Sequence, residues 1–142
     1  MNDLHNNMRT KTVISPLAIG ANATKTGLVV DRQGYGGVEF VASYGAVTTT
    51  GTIVTLVVKE GDVTGTLTSV ADADLLGTEA LASLLAGARV AGTGKEVTKR
   101  VGYTGLKRYV SVDAVQTGVT SVGVVGVAAV LHNPTLAPTA NP

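Results

Sequence analysis

Val38-Glu39-Phe40-Val41-Ala42-Ser43-Tyr44 alternates strictly, with Val38, Phe40, Ala42 and Tyr44 on one side of an extended chain and Glu39, Val41 and Ser43 on the other. Successive side chains of a strand point to opposite faces, so a two-residue apolar period predicts a strand with one buried face. It is the best core strand in the chain, and the reading of the rest follows from it. Immediately before it, Gly34-Tyr35-Gly36-Gly37 demands positive φ or close backbone approach. Immediately after, a threonine-rich connection around 48–51 leads into an apolar run at 52–58, closed by Lys59-Glu60-Gly61-Asp62. The runs at 38–44 and 52–58 read as a hairpin.

Working outward toward the amino end, residues 28–32 form a short strand and 20–27 a small-polar turn region. Residues 13–19 are apolar but broken by Pro16, which cannot donate to a ladder and so marks an extended arm or an edge strand. Residues 1–12 read as a free polar arm. Toward the carboxyl end, 66–70 is a further strand, and 71–92 turns rich in Ala and Leu. That segment reads either as a helix at 78–85, with Thr78 as N-cap and Leu81, Leu84 and Leu85 on one face, or as a long irregular loop. Strands resume at 96–103, 106–114 and 119–131, and a tail with three prolines runs extended from Asn133. About seven short strands at turn-punctuated intervals predict an all-β fold: a two-layer antiparallel β-sandwich, jelly-roll-like or Greek key, over 13–132. The arm at 1–12 and the tail at 133–142 flank it.

Composition agrees. Val, Thr and Gly dominate, there is one Phe and no Trp, and 44% of residues are hydrophobic against 15% charged. Val and Thr are stiff at χ1 and fit a pleated sheet better than a helix. The chain of 142 residues is long enough for one hydrophobic core. A monomer in water normally wears more charge than this, so part of the surface is expected to be covered by a partner. The longest apolar run, 122–131, is too short to span a bilayer, and residues 1–12 contain no apolar h-region. No membrane partner is expected.

No motif for chemistry is complete in this chain. Absence of cysteine excludes disulfides, thiolate metal sites and a thiol nucleophile. His5 and His132 have no metal-ligand spacing, and no nucleophile-elbow pattern accompanies them. Gly92-Thr93-Gly94-Lys95 departs from a phosphate loop, with Arg89 where the first glycine belongs and Glu96 where Ser or Thr belongs. Asp72, Asp74 and Gly77 match the start of a calcium loop, but Leu76 and Ser83 occupy positions that need oxygen ligands. Asn22-Ala23-Thr24 is a glycosylation sequon of the kind that chance supplies in a threonine-rich chain. The sequence thus assigns no catalytic, cofactor-binding or metal residue, and reads as a non-enzyme without a cofactor.

Two patterns point to association. Glu60, Asp62, Asp72, Asp74 and Glu79 precede Arg89, Lys95, Lys99, Arg100, Lys107 and Arg108, so one stretch is acidic and the next basic. This is either ordinary charge on turns and edge strands or a contact between the basic part of one subunit and the acidic part of the next. Nucleic acid is not the expected partner, since Lys99 and Arg100 point to opposite faces of a strand and no aromatic platform accompanies them. Secondly, two strands are apolar on both faces. Val122, Val124, Ala128 and Val130 oppose Val125, Val127, Ala129 and Leu131, while Val54, Leu56 and Val58 oppose Ile53, Thr55 and Val57. Either these are central strands or a partner covers one side.

Several strings carry a family likeness: Asn2-Asp3-Leu4-His5-Asn6-Asn7, Asp31-Arg32-Gln33-Gly34-Tyr35-Gly36-Gly37-Val38-Glu39-Phe40, Val70-Ala71-Asp72-Ala73-Asp74-Leu75-Leu76-Gly77, Lys107-Arg108-Tyr109-Val110 and Leu131-His132-Asn133-Pro134. With them the chain resembles a family of small proteins of tailed bacteriophages and prophages. The resemblance implies a virion component encoded near the major capsid protein, made in the host cytoplasm and similar in setting to capsid decoration, or cement, proteins. It implies the major capsid protein and further copies of the chain, as a homotrimer, for partners. The arm and the tail are the segments expected to reach across to neighbours. A head-to-tail connector or tail subunit, and a host-glycan adhesion module, are the alternatives.

Overall fold

The computed structural model describes residues 3–46, 51–85, 96–120 and 122–139. The Gly92–Lys95 stretch, Arg89 and the connection at 48–50 lie outside them. The strands are β1 (Met8–Ile19), β2 (Ala23–Lys25), β3 (Val30–Asp31), β4 (Tyr35–Tyr44), β5 (Ile53–Gly61), β6 (Thr68–Ser69), β7 (Leu75–Leu76), β8 (Val97–Tyr103), β9 (Tyr109–Thr117) and β10 (Gly123–Pro134). One helical turn, α1 (Glu79–Ala82), and 3₁₀ turns at His5–Asn7 and Asp72–Asp74 complete the elements.

All pairings are antiparallel and form two sheets, β1-β10-β4-β8-β7 and β2-β9-β5-β6, with β3 added to β9. The chain changes layer between β4 and β5, between β8 and β9 and between β9 and β10, and the first four strands of the one sheet face the four of the other in jelly-roll order. The fold is the all-β sandwich that the alternating pattern predicts. Val38, Phe40, Ala42 and Tyr44 all lie in the core, together with Val54, Leu56 and Val58 of β5, Val110, Val112 and Ala114 of β9, and Val125, Val127, Ala129 and Leu131 of β10. Only three aromatic rings, Phe40, Tyr44 and Tyr103, are among the fully buried side chains. The Tyr44 hydroxyl donates to the Ala82 carbonyl at 2.8 Å, so a phenol sits in the core without an orphaned polar group.

Three expectations are corrected. The runs at 38–44 and 52–58 are not a hairpin: β4 pairs with β10 and β8, whereas β5 pairs with β9 and β6 in the opposite layer. Alternation says which residues face inward but not which strand lies alongside, and two half-apolar strands satisfy it equally well across a core. Residues 3–12 are not a free arm. Met8–Thr12 form the first part of β1, with Thr10 opposite Val130 and Thr12 opposite Ala128. Before them Asp3 Oδ1 accepts from the Asn6 amide at 3.1 Å and stabilises the 3₁₀ turn. Backbone pairing at a sheet edge is indifferent to polar side chains, so this part of the strand carries no apolar signal. The tail is tied back in turn, with the Thr139 amide donating to the Asn6 carbonyl at 2.9 Å and its hydroxyl to the Met8 carbonyl at 2.6 Å.

Thirdly, residues 78–85 do not form one continuous helix. Thr78 is the N-cap, its hydroxyl accepting from the Leu81 amide at 3.1 Å, but the helix lasts only one turn. Leu81 is exposed while Leu84 is buried, so they share no face. The segment instead closes the edge of β5. The Val54 amide donates to the Leu84 carbonyl at 2.8 Å, the Leu56 amide to Ser83 Oγ at 2.8 Å and the Val58 amide to Glu79 Oε1. Buried backbone donors need such partners, and here a helical turn replaces a missing strand. Pro16 sits where the sequence suggests, on edge strand β1, inside the irregularity between Ile14 and Leu17 in the register with β10.

Candidate functional surfaces

The outward side of the β1-β10-β4-β8-β7 sheet is built from small, weakly polar side chains. Since Val125, Val127, Ala129 and Leu131 point into the core, Val124, Ala128 and Val130 point away from it. Val41 lies directly opposite Ala128, and Ser43 opposite Gly126. Thr10 and Thr12 extend the same face across β1. Gly126 is buried although it faces outward, because Pro16 of β1 folds over it: a Cβ there would stand 3.2 Å from Pro16 Cγ. On either side of that proline run two shallow grooves. One, of about 280 Å³, lies among Thr12, Pro16, Val41, Ser43 and Ala128, and the other, of about 340 Å³, among Pro16, Ser43, Thr98, Val124 and Gly126. Charge at the centre of this face is confined to Glu39 and Arg100, 3.6 Å apart on neighbouring strands.

The opposite sheet differs. Its outward residues Ser111 and Asp113 are buried, because the chain at Gly27–Leu28 passes over them. Asp113 accepts from the Gly27 amide at 3.2 Å and pairs with Lys59 at 2.6 Å, and the Ser111 hydroxyl donates to the Gly27 carbonyl at 3.0 Å. Of the two strands read as apolar on both sides, β10 leaves its second side partly open, with Val124 exposed and Ala128 and Val130 half-buried. β5 shows a mixed one, with Ile53 and Val57 half-buried and Thr55 exposed.

The acidic and basic stretches meet within the chain. Lys107 pairs with Asp62 at 2.6 Å, and the hydroxyl of Tyr103 donates to Glu60. Arg108 grips Asp31 through two hydrogen bonds, 3.0 and 2.7 Å, while stacking 5.0 Å from the centre of the Tyr109 ring. Lys99 donates to the Ser83 carbonyl at 2.7 Å. The Arg108 guanidinium beside Asp31 holds that carboxyl below its usual range, and Asp62 raises Lys107. Burial, reinforced by the hydrogen bond to Glu60, pushes Tyr103 up to about 12. Arg32 lies 5.3 Å over the same ring and donates to the Gly105 carbonyl.

The strings that carry the family likeness are corners of this framework. Asp31 accepts from the Gln33 amide at 3.0 Å, and the Tyr35 amide closes a turn on the Arg32 carbonyl at 3.0 Å, with Gly34 at φ +87°. Gly37 lies beneath His132, where a Cβ would stand 2.5 Å from the imidazole. Asp72 and Asp74 belong to a 3₁₀ turn whose end is fixed by the Thr104 amide donating to the Asp74 carbonyl at 2.9 Å. Among the described residues no group of three His, Asp or Glu side chains is placed to hold a metal ion, and no helix is long and apolar enough to cross a membrane. No protein-family model matches the chain, and no curated protein matches it.

Proposed function

We propose that this chain is a structural virion protein that assembles with copies of itself and binds the outer surface of a phage capsid, in the manner of a decoration protein. The observation that carries the reading is the open outer face of the β1-β10-β4-β8-β7 sheet. Val41, Val124, Ala128 and Val130 stand there beside two shallow grooves, with one mutually paired set of charges. A two-layer sandwich in water normally carries polar side chains on such a face, and an apolar one marks a contact with protein. The family likeness of the corner strings supports a virion setting. Jelly rolls are frequent in capsid proteins, which is an analogy of fold and adds support only at that level.

The contact is of sheet face against protein rather than of extended arms, since the first strand and the tail are held to their own sandwich. Ion pairing within the chain leaves Lys107 and Arg108 already neutralised, so a contact of the basic stretch with the acidic stretch of a neighbour is the weaker model. Mixing purified protein with undecorated heads of the phage or prophage that encodes it tests the reading. Many copies spread over the shell, lost in Ala128→Glu, support decoration. A few fixed copies at one vertex would make it a connector, and no binding by a folded protein would remove the capsid altogether.

A further inference from the structure

A second feature lies at the opposite side of β1, where the two sheets part. Arg9 is opposite Leu131 and Lys11 opposite Ala129, and both β10 residues face the core. Directly opposed residues of an antiparallel pair share a face, so both cations start on the inner side of an edge strand. They line a cleft of about 290 Å³, floored by Val30 and Leu131 and walled beyond by Gln33 and Tyr35. Asp31 also borders it, but its two oxygens are engaged by Arg108. Lys11 also acts on the Asp31 carboxylate, and with Arg9 beside it the lining of the cleft carries two cations to one carboxylate, a net positive charge.

Neither Arg9 nor Lys11 makes an ion pair or side-chain hydrogen bond among the described residues, and Arg9 Nε is shut off from solvent without an acceptor. Inward charges on an edge strand also discourage sheet-to-sheet pairing. That role is served by a charge in water and leaves no reason to bury a guanidinium nitrogen unpaired, because buried donors are normally satisfied.

We propose that this cleft binds a carboxylate group. Arg9 and Lys11 supply the charge, the guanidinium fork matches the planar pair of oxygens, and Val30 and Leu131 pack the adjoining methylene. The carboxylate comes either from an acidic side chain of a partner protein or from a small free acid, and the chemistry at the cleft is the same. The inference is independent of the capsid reading.

Amide chemical shifts of the isotope-labelled protein, titrated with sodium glutarate, with an acetylated and amidated Gly-Glu-Gly peptide, and with inorganic phosphate at matched ionic strength, test it. Saturable shifts clustered on Arg9, Lys11, Gln33 and Tyr35, weakened about tenfold in Arg9→Gln and in Lys11→Gln and unchanged in Lys25→Gln, are expected. Lys11 is exposed, so the second variant keeps the test valid if the first folds poorly. Tighter binding of the peptide places the carboxylate on a protein, and tighter binding of glutarate on a free acid. No saturable shift with either overturns the site, and phosphate binding as tightly as both overturns the choice of carboxylate.

Discussion

A Cβ at Gly27 would stand 2.1 Å from the Val112 carbonyl oxygen and 2.7 Å from Val13 Cγ1, so the crossing of this segment over β9 depends on the absence of a side chain. Gly27→Ala forces the backbone off Asp113 and Ser111 and should lower stability by about 3 kcal/mol in urea unfolding. In the sequence this glycine is only the end of a small-polar turn; nothing local marks it, because the nearest atom it must avoid, the Val112 carbonyl oxygen, belongs to a distant strand. Phe40 and Tyr44, by contrast, are legible from alternation alone. Tyr103 gives a pH prediction. Its folded-state value of about 12 lies above the ordinary 10.0, so the unfolded chain releases the proton first as pH rises. Its contribution is full below pH 10 and is lost between pH 10 and about 12. Tyr44, raised by burial, acts in the same direction. Tyr103→Phe should therefore flatten, without abolishing, the alkaline fall in melting temperature.

Among elements, strands were more legible than their neighbours. The alternation of 38–44 and the apolar runs at 52–58 and 119–131 locate β4, β5 and β10, but the crossing between layers depends on which inner faces fit together, and no local pattern encodes that. Edge elements were hardest to read, since β1 begins in polar residues and α1 closes the edge of β5 with two backbone amides bound by side chains, Ser83 and Glu79. Thr78→Ala removes the cap from this turn and should cost about 1 kcal/mol by urea unfolding. Deleting residues through Thr12 strips β10 of half its edge partner. It should abolish cooperative unfolding by circular dichroism, whereas loss of a flexible arm would leave the melting curve in place.

For the whole molecule, one sheet is partly covered by its own chain and the other presents Val41, Val124, Ala128 and Val130 outward. The sequence suggested this second apolar side of 122–131, and the register shows which residues occupy it. What the sequence hid is the cleft of Arg9 and Lys11, because the segment that carries them reads as an arm and its inner face becomes visible only once β1 is paired. Ala128→Glu lies on the half-buried outer side. It should leave the melting temperature nearly unchanged while removing self-association in sedimentation velocity. The most direct measurement is an electron cryo-microscopy map of the particle that carries this protein. The proposal predicts copies over the outer shell, with Val41, Ala128 and Val130 packed against another protein chain. A map in which that face is bare to solvent, or in which the protein is absent from the shell, would contradict it.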